Sequence, residues 1–501
     1  MRTKKALLNL FTDVFPMIIV SVLGIFKFKL FVQVLGQEVQ GLYQFFTQVM
    51  VYIAIVDGGL GSAVLYALYR PNSASDKEEM NAILSGAKRI FSFLGILVYG
   101  IAFLVSFFVP FLIKDNPFKY SYVVIAFLMF ALSSVISYFF VPYQSLLEVK
   151  EQRYIYNTTE QIGQITQSVL EIIMLLNGVN FFVILLMHSV VRMIAYVSMA
   201  LIAKKRFPEY NYHYEKRDYT FKHQVKHLIF HKINGLVGSN IDVMIITGFL
   251  GLTASNIYST YNYIVNMTRR IIDKVYTAIQ GILGNILSSD KKKAYKLFRE
   301  LNSMLFYVAT AVSVPLVLAI NSFIDIWYEN MIETDVKIAY GFSGLLFLEI
   351  VKIAVIVFVN AGGLFGETKK CAMTDTVINL ILSLLLVHYF GISGVLFATC
   401  IAVFVAEYIM KTIIIHKEIF ECSSRVYFIG NIKFWVIALV DLWIGNKILP
   451  FLILKNIGTW FLSFSIYTII NGVLVLGIYR LLHETAFVTR LINLVKHKRG
   501  N

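Results

Sequence analysis

Charged residues are scarce in this chain, at 15% of 501 positions against roughly 25% in an ordinary soluble domain. Hydrophobic residues fill 58% of it, and apolar runs of about 18 to 25 residues recur from end to end. That excludes a soluble protein with a single anchor and points to a polytopic membrane protein. Cysteine is nearly absent: Cys371, Cys400 and Cys422 have neither disulfide nor metal-site spacing and read as packing residues. No small-x-small cleavage site follows the basic start MRTKKALLNLFTDVFPM, so an uncleaved first helix is expected. No Gly-rich nucleotide loop, metal cluster or nucleophile constellation is present.

The apolar runs place about fourteen transmembrane helices, at 11–35, 41–69, 85–113, 119–146, 158–177, 180–203, 227–250, 254–287, 300–327, 337–362, 372–389, 392–415, 429–448 and 457–480. Basic residues test the count. The segments expected on one side hold 31 of the 45 Lys and Arg, and those on the other hold 5. This unbroken alternation puts both termini in the cytoplasm. The net charge of +15 is then mostly topology, with contact to anionic membrane lipids added, and gives no sign of nucleic-acid binding. The exoplasmic connections are too short to hide a soluble domain or to build an enzyme site.

The expected organisation is all-α. A bundle of six helices spans 1–203, a cytoplasmic linker follows at 204–226, and a second six-helix bundle spans 227–415. Two extra helices and a basic tail occupy 416–501. A faint internal repeat supports two halves. VLGQEVQGLY (Val34 to Tyr43) and FLGLTASNIY (Phe249 to Tyr258) both place a Tyr seven residues after a Leu-Gly pair. Six spans per half imply a parallel repeat.

Nine cations lie inside spans, where a central Arg or Lys costs roughly 2.5–3.5 kcal/mol. The densest group is on span 8: Arg269, Arg270, Asp273 and Lys274. Arg269 and Asp273 share a face and can pair, whereas Arg270 and Lys274 stack two like charges that need water or an anion. Lys27 and Lys29 point about 200° apart on span 1, with Lys29 favoured as the one lining a cavity. Arg192, Lys232 and Lys433 read as snorkelling residues, and Glu349 with Lys352 as a self-neutralising pair. Asp57 opens DGGLGSA, where the glycines suit close helix contact or a bend. Asp57, Asp242 and Asp273 are candidates for coupling or gating. His223, His227 and His231 have helical spacing, but FKHQVKHLIFHK reads as a basic interfacial segment, not a metal site.

Four stretches, in order, resemble the bacterial polysaccharide transport family. These are the flippases of lipid-linked O-antigen and capsule repeat units, in the superfamily that also holds multidrug and toxic-compound extruders. The stretches are Gly41 to Arg70, Ile241 to Tyr261, Gly281 to Asn302 with Asn321 to Tyr328, and Asn379 to Thr399. The resemblance implies two six-helix bundles about a central cavity. It also implies alternating access that carries an undecaprenyl-pyrophosphate-linked oligosaccharide across the bacterial cytoplasmic membrane, in a pathway with glycosyltransferases and a polymerase. No cofactor is expected, and Na⁺ or H⁺ are the candidate coupling ions. Where the family usually has a basic residue after the Gly-Leu-Gly of span 2, this chain has Tyr66, with Arg70 only at the helix end.

The pyrophosphate is expected on Arg269, Arg270, Lys274 and Lys29, because fixed cations replace its hydration and Arg matches phosphate by paired hydrogen bonds. Sugars are expected on Tyr258, Asn262, Tyr263 and Asn266. The competing reading is a multidrug or solute antiporter of the same fold, in which carboxylates such as Asp57, Asp242 and Asp375 would dominate.

Overall fold

The computed structural model describes residues 2–221, 241–283, 291–449 and 456–488. The chain divides into two compact units, Met1–Asn256 and Ile257–Asn501. Unit 1 contains α1 (Arg2–Leu35), α2 (Gln37–Ile53), α3 (Leu60–Ala74), α4 (Lys77–Ser106), α5 (Tyr120–Val135), α6 (Val141–Val149), α7 (Arg153–Leu176), α8 (Phe181–Arg206) and α9 (Ile241–Leu250). α10 (Leu252–Leu283) begins in unit 1 and continues into unit 2. Unit 2 adds α11 (Lys291–Tyr328), α12 (Val336–Val351), α13 (Ile353–Ala361), α14 (Lys369–Ala402), α15 (Lys411–Glu418), α16 (Ser424–Ile448) and α17 (Ile457–Leu481).

Among the described residues, nine helical stretches are long and apolar enough to cross a membrane. The longest, Lys369–Glu418, supplies two crossings. Residues eight apart on a straight helix lie about 12 Å apart. Yet a Cβ at Gly394 would come within 2.3 Å of the Leu386 carbonyl oxygen, so the chain doubles back. It does so at Gly391, whose φ of 59° and ψ of −135° suit glycine alone. With α1, α7, α9 and α10, the described helices trace the fourteen expected. α7 and α10 fall outside the apolar nine because they carry polar side chains along their length, Glu160 to Glu171 in the first and Arg269 and Arg270 in the second.

Unit 1 is built around Leu42, Phe46, Phe127, Leu146 and Ile184, all fully buried. α7 packs along α1 and α8, and α5 lies against α4 and α8. The DGGLG stretch forms a break between α2 and α3: Gly58 and Gly59 take φ of 56° and 82°, and the Gly59 N–H donates to Asp57 Oδ1 at 2.9 Å. Residues 207–221 fold back onto α4, where Tyr210, Tyr212 and Phe221 are buried. In unit 2 the deeply buried α11 is the hub, contacting α12, α16 and α17. A closed polar network holds α16 there: Tyr427 donates to Asn302 Oδ1 (2.7 Å), Asn302 to Asn431 (3.0 Å) and Asn431 to Tyr408 (3.0 Å). The Trp460 indole N–H of α17 donates to the Ala319 carbonyl at 3.0 Å. The outer faces of α16 and α17, including Ile429, Ile432, Val436, Ile469 and Val473, are exposed apolar surface of the kind acyl chains cover.

The faint sequence repeat is a structural one locally. Gly36 and Gly251 have φ of 92° and 89° and make the same bonds: each donates to the carbonyl four residues earlier and accepts from the amide four residues later. Phe46 meets Phe127 at 5.2 Å and Tyr261 meets Phe342 at 5.8 Å, pairs displaced by the same 215 residues. Gly41 allows the backbones of α2 and α10 to touch, since a Cβ there would sit 2.1 Å from the Leu252 carbonyl oxygen. Neither backbone can yield cheaply. Gly41→Ala is expected to lower unit stability by about 1–3 kcal/mol, read as an earlier thermal transition in detergent; an unchanged transition would contradict this contact.

Candidate functional site

α10 is amphipathic, and Arg269 and Arg270 follow the polar residues of its first turns. Arg269, with its side chain 44% exposed, reaches Glu349 of α12 at 3.1 Å. The other oxygen of Glu349 accepts from Lys352 at 2.7 Å, so the expected Glu349–Lys352 pair is present, with Arg269 joined to it. Lys352 stands at the joint between α12 and α13. Nearby, Lys411 bonds Glu407 at 2.5 Å, within the π-helical stretch Val403–Met410 that leads into α15. Asp375 lies in the field of Glu407, Lys352, Glu349 and Lys411, and its buried Oδ1 has no hydrogen-bond partner among the described residues. Three cations and three carboxylates thus share one region of unit 2. Arg270 is exposed, and no described carboxylate lies within ion-pair distance of it. The side chains of Asp273 and Lys274 lie outside the described residues, as do Lys232 and the three histidines 223, 227 and 231.

The other α10 candidates are divided. Tyr258 is buried against Phe342, 5.0 Å between ring centroids. Asn266 donates to Asn262 at 2.9 Å, one turn earlier, and Tyr263 packs near Trp327. Asn262, Tyr263 and Asn266 are half-buried.

In unit 1 the buried charge belongs to a different lysine from the one favoured by sequence. Lys27 Nζ lies 3.4 Å from Glu171 of α7, while Lys29 is half-buried on another face of α1. Glu171 is only 2% exposed and also bonds His188 Nε2 of α8 at 2.9 Å; Tyr43 lies edge-on to that imidazole. One turn further along α8, Arg192 donates to the Ser133 carbonyl of α5 at 3.3 Å instead of snorkelling to a helix end. Lys433 of α16 does reach toward a helix end, to the carboxylate of Glu484 just beyond the last residue of α17. Asp57 serves the α2–α3 break and hydrogen-bonds with Tyr138, and Asp242 is buried near Tyr52.

The sequence signal for the unit 1 cluster is the polar stripe of α7. Glu160, Gln164, Gln167 and Glu171 fall within an arc of about 60° at 100° per residue. Such a stripe on a membrane helix must face water, a ligand or other polar groups. Part of it lines a cavity of about 120 Å³ with Tyr156, Arg192 and Tyr196, large enough to hold water. Chemically, the two units offer ammonium and guanidinium groups beside carboxylates, aromatic edges and amides. Groups of these kinds are chemically able to pair with a charged or polar group.

No family model matches the sequence, and no curated protein matches it. Solved structures do match. The lipid II flippase MurJ in an inward closed conformation superposes with a TM-score of 0.68 at 15% identity, covering 93% of this chain and 98% of that one. An inward-facing multidrug resistance MATE transporter of the MOP superfamily gives 0.64 at 15% identity, over 81% and 96%. The MATE multidrug transporter DinF-BH gives 0.56 at 17% identity, over 84% and 96%. The chain therefore has the all-helical, fourteen-helix fold of the lipid II flippase and multidrug extruder structures.

Proposed function

We propose that the protein is a flippase that carries undecaprenyl-pyrophosphate-linked oligosaccharide repeat units from the cytoplasmic to the outer leaflet of the bacterial cytoplasmic membrane by alternating access. The observation that carries this reading is the α10 face: two adjacent arginines in a membrane helix, with Glu349 the one described carboxylate that meets either. An excess of fixed positive charge at depth is costly unless an anion joins it. A pyrophosphate does so, and guanidinium groups bind it through paired hydrogen bonds. In this reading Glu349, held also by Lys352, positions Arg269, and Arg270 meets the substrate. The amides and tyrosines of α7 and α10 suit saccharide hydroxyls. The motif resemblance and the likeness to a lipid II flippase over nearly the full length of both chains support the same substrate class. Glycosyltransferases and a polymerase of the same pathway are the proposed partners, with Na⁺ or H⁺ as coupling ion.

A second reading, a cation-coupled multidrug antiporter, draws on Asp375 and Glu407 and on the likeness to DinF-BH. Deleting the gene separates the two. A flippase deletion is expected to leave lipid-linked saccharides accumulated in the cytoplasmic leaflet with drug susceptibility unchanged. Raised susceptibility without accumulation favours the antiporter and removes the flippase reading.

A further inference from the structure

We infer that one end of unit 1, where α4, α6, α8 and the 207–221 segment meet, binds a phosphate group through Lys88, Lys204 and His213 arranged about Tyr143. The site is independent of the transport reading. Lys88 Nζ lies 3.0 Å from His213 Nε2 and donates to the Tyr143 hydroxyl at 3.4 Å. It stands 5.8 Å from the centre of the Tyr143 ring, and Lys204 Nζ stands 5.9 Å from the same centre. Two ammonium groups therefore flank one ring, with an imidazole against the first.

Lys204 and His213 are exposed, but the backbone that presents His213 is fixed. His213 is carried on a segment pinned to α4 by a chain of bonds. The Asn211 amide donates to Asn81 Oδ1 (2.8 Å), Ser85 Oγ donates to the Asn211 carbonyl (3.2 Å), and the Tyr214 amide donates to Ser85 Oγ (2.6 Å). Gly86 admits the segment's backbone, because a Cβ there would lie 2.1 Å from the Asp218 carbonyl oxygen. Beneath, the buried Tyr212 ring rests on Tyr143 at 4.1 Å. Lys88 itself is half-buried.

Among the described residues, no carboxylate comes within 4.0 Å of Lys88 or Lys204. Of the acids on these elements, Glu78 pairs with Lys216 at 3.9 Å and Glu148 with Arg153 at 3.2 Å, and Asp218 caps the Thr220 amide at 2.7 Å. Glu209 and Glu215 of the 207–221 segment form no ion pair with either lysine. The charges acting on His213 are all positive. Lys88 first, with burial, then Lys204 and Arg217 hold its imidazole below the ordinary histidine range. A fixed group of cations with no internal counter-ion is complementary to a small polyanion. Phosphate supplies several acceptor oxygens for separate donors, and its charge removes the Lys88–Lys204 repulsion. It also converts His213 from acceptor of the Lys88 proton to a third donor. Binding and protonation of His213 are then linked, so the site tightens as pH falls through the imidazole range.

The phosphate comes either from an anionic lipid headgroup or from a prenyl carrier, and one experiment distinguishes them. Full-length protein labelled at histidine ¹³Cε1 is held in maltoside micelles, which contain no phosphate, and His213 is titrated by NMR. Phosphatidylglycerol, undecaprenyl pyrophosphate and inorganic phosphate are added in separate arms. At least one arm is expected to raise the His213 midpoint by about half a pH unit or more, equivalent to roughly threefold tighter binding to the protonated form. The arm that responds names the source. Lys88→Gln with Lys204→Gln is expected to abolish the response, and Lys88→Arg to retain it, which separates lost binding from lost folding. If no arm moves His213, or if the shift persists in the double Gln variant as a bulk surface-potential effect, the inference is overturned.

Discussion

Replacing Glu171 with alanine is expected to destabilise unit 1 by about 3–5 kcal/mol, the usual effect of removing one partner of a buried ion pair. Glu171 and His188 are each 2% exposed, and Lys27 is 20% exposed, so little water can compensate. The variant leaves an ammonium group and an imidazole facing each other across an apolar gap. Because α7 packs along both α1 and α8, the defect falls where three helices meet. In detergent the thermal transition should drop by roughly ten degrees. Pairing Glu171→Met with Lys27→Met should recover most of the loss, since two apolar side chains replace two buried charges. A change below about 1 kcal/mol in the single variant would mean that the cluster is hydrated and the pair contributes little.

Arg269→Gln with Arg270→Gln should reduce export of the lipid-linked repeat unit by more than tenfold while leaving protein levels normal. Each charge-assisted bond to phosphate contributes about 1.5–3 kcal/mol, so the loss of two reaches this size even with partial compensation. Folding should be spared for reasons visible at the site. Glu349 keeps Lys352 at 2.7 Å when Arg269 is removed, and Arg270 has no described carboxylate to leave behind. Retaining the charge with lysine at both positions should restore only part of the export, because lysine cannot form the paired bonds of a guanidinium. Export unchanged in the Gln variant would remove both arginines from the mechanism.

Local features of this molecule were legible in the sequence because their causes are local. The Tyr-Phe-Gly-Ile-Ser-Gly stretch marks the reversal between two apolar runs, and Gly391 makes it. The Asp-Gly-Gly of span 2 marks a break, and Asp57 caps it. The Leu-Gly echo predicts matching turns, and Gly36 and Gly251 share their dihedral angles. Pairing across the bundle was not legible. Lys27 and Lys29 are equivalent by composition, and only the packing of α7 on α1 selects Lys27 for Glu171. Helical spacing offers Arg269 the nearby Asp273, whose side chain lies outside the described residues; the bond to Glu349, on an element distant in sequence, has no local signal. Arg192 was judged by its nearness to a helix end, and the bond to the Ser133 carbonyl comes from a neighbouring helix. Tyr258 shows the same limit from the apolar side, since a tyrosine on a polar-looking face packs against Phe342. The polar stripe of α7 was present in the sequence, and its period of three and four residues is the signal that could have located the unit 1 cluster.

The most direct measurement is the affinity of purified protein for undecaprenyl pyrophosphate compared with undecaprenol, for the natural sequence and for the Arg269→Gln, Arg270→Gln variant. The expected result is a preference of at least about tenfold for the pyrophosphate, reduced by about tenfold or more in the variant. Equal affinity for the two lipids, or a preference that the variant leaves intact, would contradict the role assigned to the α10 arginines.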